Sequence, residues 1–169
     1  MPISDPSSAF IALGSNLGES AATVRSAMDR LEEFSAHPLL RSSLWRSSPV
    51  DCPPGSPEFI NAVVGLTPRP AETPESLLAK LQTLEMDFGR QPKTILNESR
   101  PLDLDLLCFG TEMRNTRKLT VPHPRAHLRR FVLEPLAEVA PTLVFAGQTE
   151  TVIQLLGKLN SSEVLVRVG

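Results

Sequence analysis

Residues 102–106 read Leu-Asp-Leu-Asp-Leu, and strict alternation with a period of two is the pattern of a β-strand packed on one face only. That pattern constrains the whole chain, which must build a sheet with one face on a core and part of the other left open. Leu102, Leu104 and Leu106 face the core in such a strand, and Asp103 and Asp105 share the opposite face. Residues two apart in a strand lie about 6.6 Å from each other. At an effective dielectric of ~20 two carboxylates so placed repel by about 2.5 kcal/mol. A nearby positive charge offsets the repulsion, or one carboxyl pKa rises. Taken alone, the spacing leaves two readings level, a solvated polar face and a divalent-metal site. Mg2+ suits the second, because it takes one or two carboxylates and completes its octahedron with water and phosphate oxygens.

Periodicity elsewhere supplies partners for this strand. Phe10 to Leu13 reads as a short buried strand ended by Gly-Ser-Asn. Val24, Ala27, Met28, Leu31 and Phe34 then recur at helical spacing, with Glu19 near the helix start where the macrodipole favours an acid. Residues 39–48 alternate loosely and enter "PVDCPPGSPE", whose prolines and glycine forbid regular structure. "FINAVVGLTP" is β-rich and returns as a strand. Thr73 is the expected N-cap of a second helix and Pro74 its first residue. Leu77, Leu78, Leu81, Leu84 and Glu85 carry that helix to about Phe88, where Gly89 ends it. After the Asp-x-Asp strand come a hairpin-like segment, "TEMRNTRKLTV", and a helix interrupted near Pro135. A short helix in "ETVIQLLGKL" and a closing strand in "EVLVRVG" complete the chain.

The core order is strand, helix, strand, strand, helix, strand, the split βαβ plan of ferredoxin-like α+β folds. It predicts an antiparallel sheet with both main helices on one face and the other face free for a ligand. At 169 residues a single domain spanning 1–169 is expected. A net charge of -2 gives no basic field to recruit nucleic acid. Anions must therefore be held by local arginines and backbone dipoles. Cys52 and Cys108 make neither a disulfide framework nor a metal-ligand spacing. The N-terminus lacks a basic segment followed by an apolar one, and no apolar run reaches membrane-spanning length. The expectation is a reduced, cytoplasmic monomer.

Arg90 and Arg100 bracket the polar loop 91–99, which feeds directly into the aspartate strand. Arginine binds phosphate through bidentate charged hydrogen bonds. Lys118, His123, Arg125, Arg129 and Arg130 form a second basic cluster. Solvated surface explains each of these singly. Two basic clusters flanking a carboxylate pair point more specifically to a polyphosphate–metal site. "GSNLG" at 14–18 can turn backbone N–H groups toward an anion, yet no Gly-Lys-Ser/Thr follows, so it is not a Walker A loop and its default reading is a tight turn. Phe59 and Asn61 offer a ring and an amide on one strand face, a pair that can stack on a heterocycle and read its edge. Taken alone, they read more simply as a core Phe and a turn Asn. The histidines share no spacing that would make a histidine-metal site or a nucleophile–base pair.

Five segments in order carry a wider pattern: "ALGSNLG" at 12–18, "SPVDCPPGSPEFINAVV" at 48–64, "LQTLEMDFGR" at 81–90, "RPLDLDLLCFG" at 100–110 and "LTVPHPRAHLRRFVLEPLAEVAP" at 119–141. Together they resemble the 6-hydroxymethyl-7,8-dihydropterin pyrophosphokinase family of folate biosynthesis. The resemblance implies a ferredoxin-like fold and the transfer of diphosphate from ATP to the pterin hydroxymethyl group, releasing AMP. It implies that Asp103 and Asp105 hold two Mg2+ ions against the ATP phosphates. Asn61 would read the pterin edge, with Phe59 and Phe131 sandwiching its ring and Ser47, Ser48 and Val50 lining the pocket. Gln82, Glu85, Leu106, Lys118, Thr120, His123 and Arg129 match nucleotide-contacting positions. Arg90 and Arg100 match arginines that close the site and stabilise the transferring group. The chain departs from many members at Pro92, Asn97, Pro124 and the Ser47-Ser48 pair. A nucleotidyltransferase would place its Gly-Ser turn and Asp-x-Asp close together, whereas Ser15 and Asp103 are far apart in sequence. A paralogue binding nucleotide or pterin without efficient turnover is the non-catalytic alternative.

Overall fold

The structure is a computed structural model describing residues 8–47, 58–89, 101–161 and 163–168. Ser48, Val50, Arg90 and Arg100 lie outside these, as does loop 91–99. In chain order the elements are β1 (Ala9–Ser15), α1 (Ser20–Leu31), β2 (Leu40–Arg41), β3 (Trp45–Ser47), β4 (Phe59–Leu66), α2 (Pro74–Asp87) and β5 (Asp103–Phe109). They continue with β6 (Arg114–Asn115), β7 (Thr120–Val121), α3 (Arg130–Val139), α4 (Val152–Lys158) and β8 (Leu165–Arg167). The main sheet runs β5-β1-β4-β3-β8, with β2 also on β4, and β6 and β7 pair separately. Its pairings are antiparallel. β1, α1, β3, β4, α2 and β5 reproduce the expected split βαβ order.

α2 begins where its cap residues predict. Thr73 accepts from the Ser76 N–H at 3.0 Å while Ser76 Oγ accepts from the Thr73 N–H at 2.8 Å, a reciprocal capping box with Pro74 in the first turn. Beyond its last turn Gly89 takes a φ of 91°, a left-handed conformation that glycine adopts without a Cβ penalty. The buried stripe of α2, Leu77, Leu81 and Leu84, joins Val24, Ala27, Met28 and Leu31 of α1 over one sheet face. Ile11, Leu13, Ala62, Val64, Leu104 and Leu106 meet them from the sheet. Leu102, Leu104 and Leu106 thus face this core, as the alternation requires.

The second face is only partly open, and this refines the expectation of a free face. Phe10, Val63, Leu107 and Cys108 pack there against Val132, Leu133 and Leu136 of α3 and Val152 of α4. Gly65 is needed beneath this layer, because a Cβ there would stand 2.7 Å from the Phe10 ring. α3 also runs unbroken through Pro135. A mid-helix proline costs about 3 kcal/mol. Burying each Val or Leu of the apolar stripe returns roughly 1.5–3 kcal/mol, so tertiary packing outweighs the local penalty. The helices cover the Phe10 end of this face. The other end, with Ala12, Gly14, Asn61 and the aspartates, holds the candidate site.

Candidate active site

Register places the key side chains in one row across the sheet. Asp103 pairs with Gly14, Gly14 with Asn61, and Asn61 with Trp45. Directly opposed residues of antiparallel strands share a face, and strands are about 4.8 Å apart. The Asp103 and Asn61 backbones therefore lie roughly 10 Å apart, with Gly14 between them. A Cβ on Gly14 would meet Asn61 Oδ1 at 3.7 Å and the Phe59 ring at 3.9 Å, so Gly14, Asn61 and Phe59 bound the same space. Asp105 follows one row over, opposite Ala12. The residues between the acids and the amide are small, and that leaves a floor on which a flat ligand can lie.

Asn61 is 4% exposed, and its amide is locked by two bonds. Nδ2 donates to Ser47 Oγ at 2.7 Å and to the Trp45 carbonyl at 3.4 Å. This turns Oδ1 toward Gly14. Ser47 and Phe59 are register partners, so β3 and β4 assemble three of the expected pterin-side residues. Phe131 comes from the start of α3 on the same side of the sheet, with the Arg129 guanidinium 5.4 Å from its ring centroid. Ser48 and Val50 lie outside the described residues.

On the opposite side of the aspartates a groove of about 260 Å3 is lined by Asp105, Leu106, Lys118, Thr120 and His123. Four residues expected at the nucleotide thus gather around one of the acids. Leu78, read from the sequence only as part of a helix, lines the groove as well, with Thr116 and Arg117, which no motif singles out. Gln82 is exposed on α2, one helical turn beyond Leu78. Glu85 accepts from the Leu104 N–H at 2.8 Å, pinning β5 at the residue between Asp103 and Asp105. β5 carries a register shift opposite Phe10/Ile11, and just there the Leu107 carbonyl accepts from the His123 N–H at 2.8 Å. The bulge brings the basic segment alongside the aspartate strand.

Burial pushes the His123 imidazole down to about 4, reinforced by Arg129 and Arg125 and opposed by Asp103. Its Nδ1 accepts from the Arg125 N–H at 3.1 Å. At neutral pH it is an uncharged ring with its proton on Nε2, a donor suited to a phosphate oxygen. The folded pKa lies below the ordinary 6.5, so between pH 6.5 and 4 the unfolded chain binds the extra proton. His123 therefore adds stability above this window and withdraws it as the pH falls through it. Urea denaturation of wild type and His123→Gln at pH 7 and pH 4.5 is expected to show the wild type losing more stability on acidification. Equal losses would contradict the assignment.

Among the described residues no group of three or more His, Cys, Asp or Glu is placed to hold a metal. Two carboxylates on one open face nevertheless fit Mg2+ with a polyphosphate, since the phosphates and water supply its remaining oxygens.

Residues 10–141 match the family model for 7,8-dihydro-6-hydroxymethylpterin-pyrophosphokinase (HPPK). The chain belongs to this family. Relatives named 2-amino-4-hydroxy-6-hydroxymethyldihydropteridine pyrophosphokinase include a Synechocystis protein, 36% identical over 92% of this chain and 78% of its own length. One from Haemophilus influenzae is 37% identical over 80% and 83% respectively. One from Pseudomonas aeruginosa is 38% identical over 79% and 81%. The fold is that of HPPK domains: a Plasmodium falciparum HPPK-DHPS crystal structure aligns with TM-score 0.70 at 14% identity over 89% of this chain. This chain spans 44% of that protein. The HPPK family match begins at Phe10 and takes in both the aspartate pair and Asn61.

Proposed function

We propose that the chain transfers the terminal diphosphate of ATP to the hydroxymethyl group of 6-hydroxymethyl-7,8-dihydropterin, releasing AMP. It does so as a single cytoplasmic domain working as a monomer. One observation carries the reading. The aspartate pair stands between a locked amide beside an aromatic ring and a groove lined by Lys118, Thr120 and His123. Membership of the HPPK family supports it.

Asn61 and Ser47 orient the pterin, with Phe59 and Phe131 against its faces, and the hydroxymethyl group points along the row toward Asp103. Lys118, His123 and Arg129 take the phosphates from the groove side. The hydroxyl oxygen attacks the β-phosphorus, the bond from that phosphorus to the α–β bridging oxygen breaks, and AMP leaves with that oxygen. The hydroxyl proton passes to solvent. Asp103 and Asp105 would hold Mg2+, two ions in this reading, which neutralises the phosphate charge when bound. Such transfers depend on positioning and charge neutralisation rather than covalent catalysis. Gln82 and Glu85 complete the nucleotide side, and Arg90 and Arg100 stabilise the transferring group.

Incubation with ATP, Mg2+ and the hydroxymethylpterin, followed by mass spectrometry, tests the reading. Equal amounts of AMP and pterin diphosphate are expected. Binding of both substrates with no product would instead identify a non-catalytic paralogue.

A further inference from the structure

One carboxylate on α3 gathers the edge of the sheet that carries the pterin-side residues. Glu138 Oε1 accepts from the Ser43 N–H at 3.0 Å and from the Trp45 indole N–H at 2.7 Å. Glu138 Oε2 accepts from Ser43 Oγ at 2.8 Å, and Arg167 Nη2 of β8 lies 3.8 Å from it. Arg167 also stands 5.3 Å from the Trp45 ring centroid. Charge-assisted bonds of this kind are roughly twice as strong as neutral ones. The three bonds converge on a single side chain from two residues of one short segment.

What this carboxylate joins is more informative than how many bonds it makes. Glu138 follows Phe131 by seven residues on α3, close to two helical turns, so both project from nearly the same helix face about 10 Å apart. Trp45 is the register partner of Asn61, and its carbonyl accepts from the Asn61 amide. Two residues on, Ser47 holds the same amide. A continuous line of contacts therefore runs from the α3 helix that bears Phe131, through Glu138 and Trp45, to the Ser47–Asn61 pair. α3 reaches β4 through apolar packing around Val63. The three directional bonds of Glu138 add a restraint on rotation and sliding of the helix to that packing.

We propose that Glu138 is a positioning residue that sets the spacing between Phe131 and the Ser47–Asn61 amide reader, and so the width of the pterin slot. The inference rests on the pterin-transfer reading above. A helix anchor of purely structural importance would lower stability and affect both substrates alike. Glu138 instead acts mainly on the pterin, because Lys118, Thr120 and His123 lie on the β7 segment and not on α3, while Arg129 caps the far, N-terminal end of α3, about two helical turns from Glu138.

The test is steady-state kinetics of Glu138→Gln, Glu138→Ala and Trp45→Phe, with direct binding of pterin and of ATP to each protein. Trp45 is the only tryptophan of the chain, so its fluorescence reports the anchor in the Glu138 variants without reference to turnover. Glu138→Ala is expected to raise the KM and Kd for pterin by about 5- to 20-fold, with the KM for ATP within about twofold of wild type. Glu138→Gln keeps one acceptor oxygen and falls between, with a shifted Trp45 emission in both. The double variant Glu138→Ala/Trp45→Phe is expected to add little to Glu138→Ala alone. Unchanged pterin binding in a folded Glu138 variant, or equal losses for ATP and pterin, overturns the inference while leaving the function intact. Should Glu138→Ala fail to fold, the same criteria apply to Glu138→Gln and Trp45→Phe. A wild type that neither binds nor converts pterin overturns the functional reading, and this inference with it.

Discussion

Asp103→Ala or Asp105→Ala is expected to lower kcat by about 10³-fold or more with the fold intact, the loss that follows from removing several kcal/mol of charge stabilisation in phosphoryl-type transfer. Both carboxylates are half-buried on the open face, away from the leucine core. β5 is held in the sheet by Leu104 and Leu106 in that core and by the bond from the Leu104 N–H to Glu85. Removing one of two like charges also relieves repulsion of about 2.5 kcal/mol at most. Thermal unfolding should therefore shift by no more than a few degrees. Asp103→Asn and Asp105→Asn keep the shape and lose the charge, so they should be nearly as inactive. AMP release at the wild-type rate from any of the four would remove the aspartates from the chemistry.

The second large effect is expected at Asn61. A site built to hydrogen-bond a heterocycle edge loses about 10²- to 10³-fold in kcat/KM when its reading group is removed, because the partners are left buried and unpaired. Asn61→Ala should show this for the pterin while the KM for ATP stays within about twofold, since Asn61 is remote from the Lys118–His123 groove. Asn61→Asp preserves the volume and replaces the Nδ2 donor to Ser47 with an acceptor. It should be similarly impaired. Equal loss of ATP and pterin affinity in either variant would mean that Asn61 supports the fold rather than reads the ligand.

The part of the fold readable from the sequence is the part governed by short-range periodicity. Alternation in Leu102–Leu106 placed both the core face and the acid face of β5 correctly. Thr73 and Pro74 marked the start of α2 because capping is a local matter of a few backbone N–H groups. The coverage of the second face was not readable, since it depends on α3 and α4 returning across the sheet to meet Phe10 and Val63. The bulge at Leu107 is similar: the alternation says nothing of the extra residue until β1 supplies its register. Glu138 shows the limit most clearly. Its bonds to Ser43 and Trp45 span more than ninety residues of chain, and no spacing rule connects them. Within the site, Asp103, Asp105 and Asn61 were visible as local patterns, and Gly14 emerged as the floor between them only through the strand pairing.

The proposed reaction moves a diphosphate, taken whole, onto a pterin hydroxyl. Transfer from ATP labelled separately at the α-, β- and γ-phosphorus tests it most directly. β and γ label are expected to move together into the pterin product, and α label to stay in AMP. Label arriving from the γ-position alone, with ADP as the second product, would contradict it.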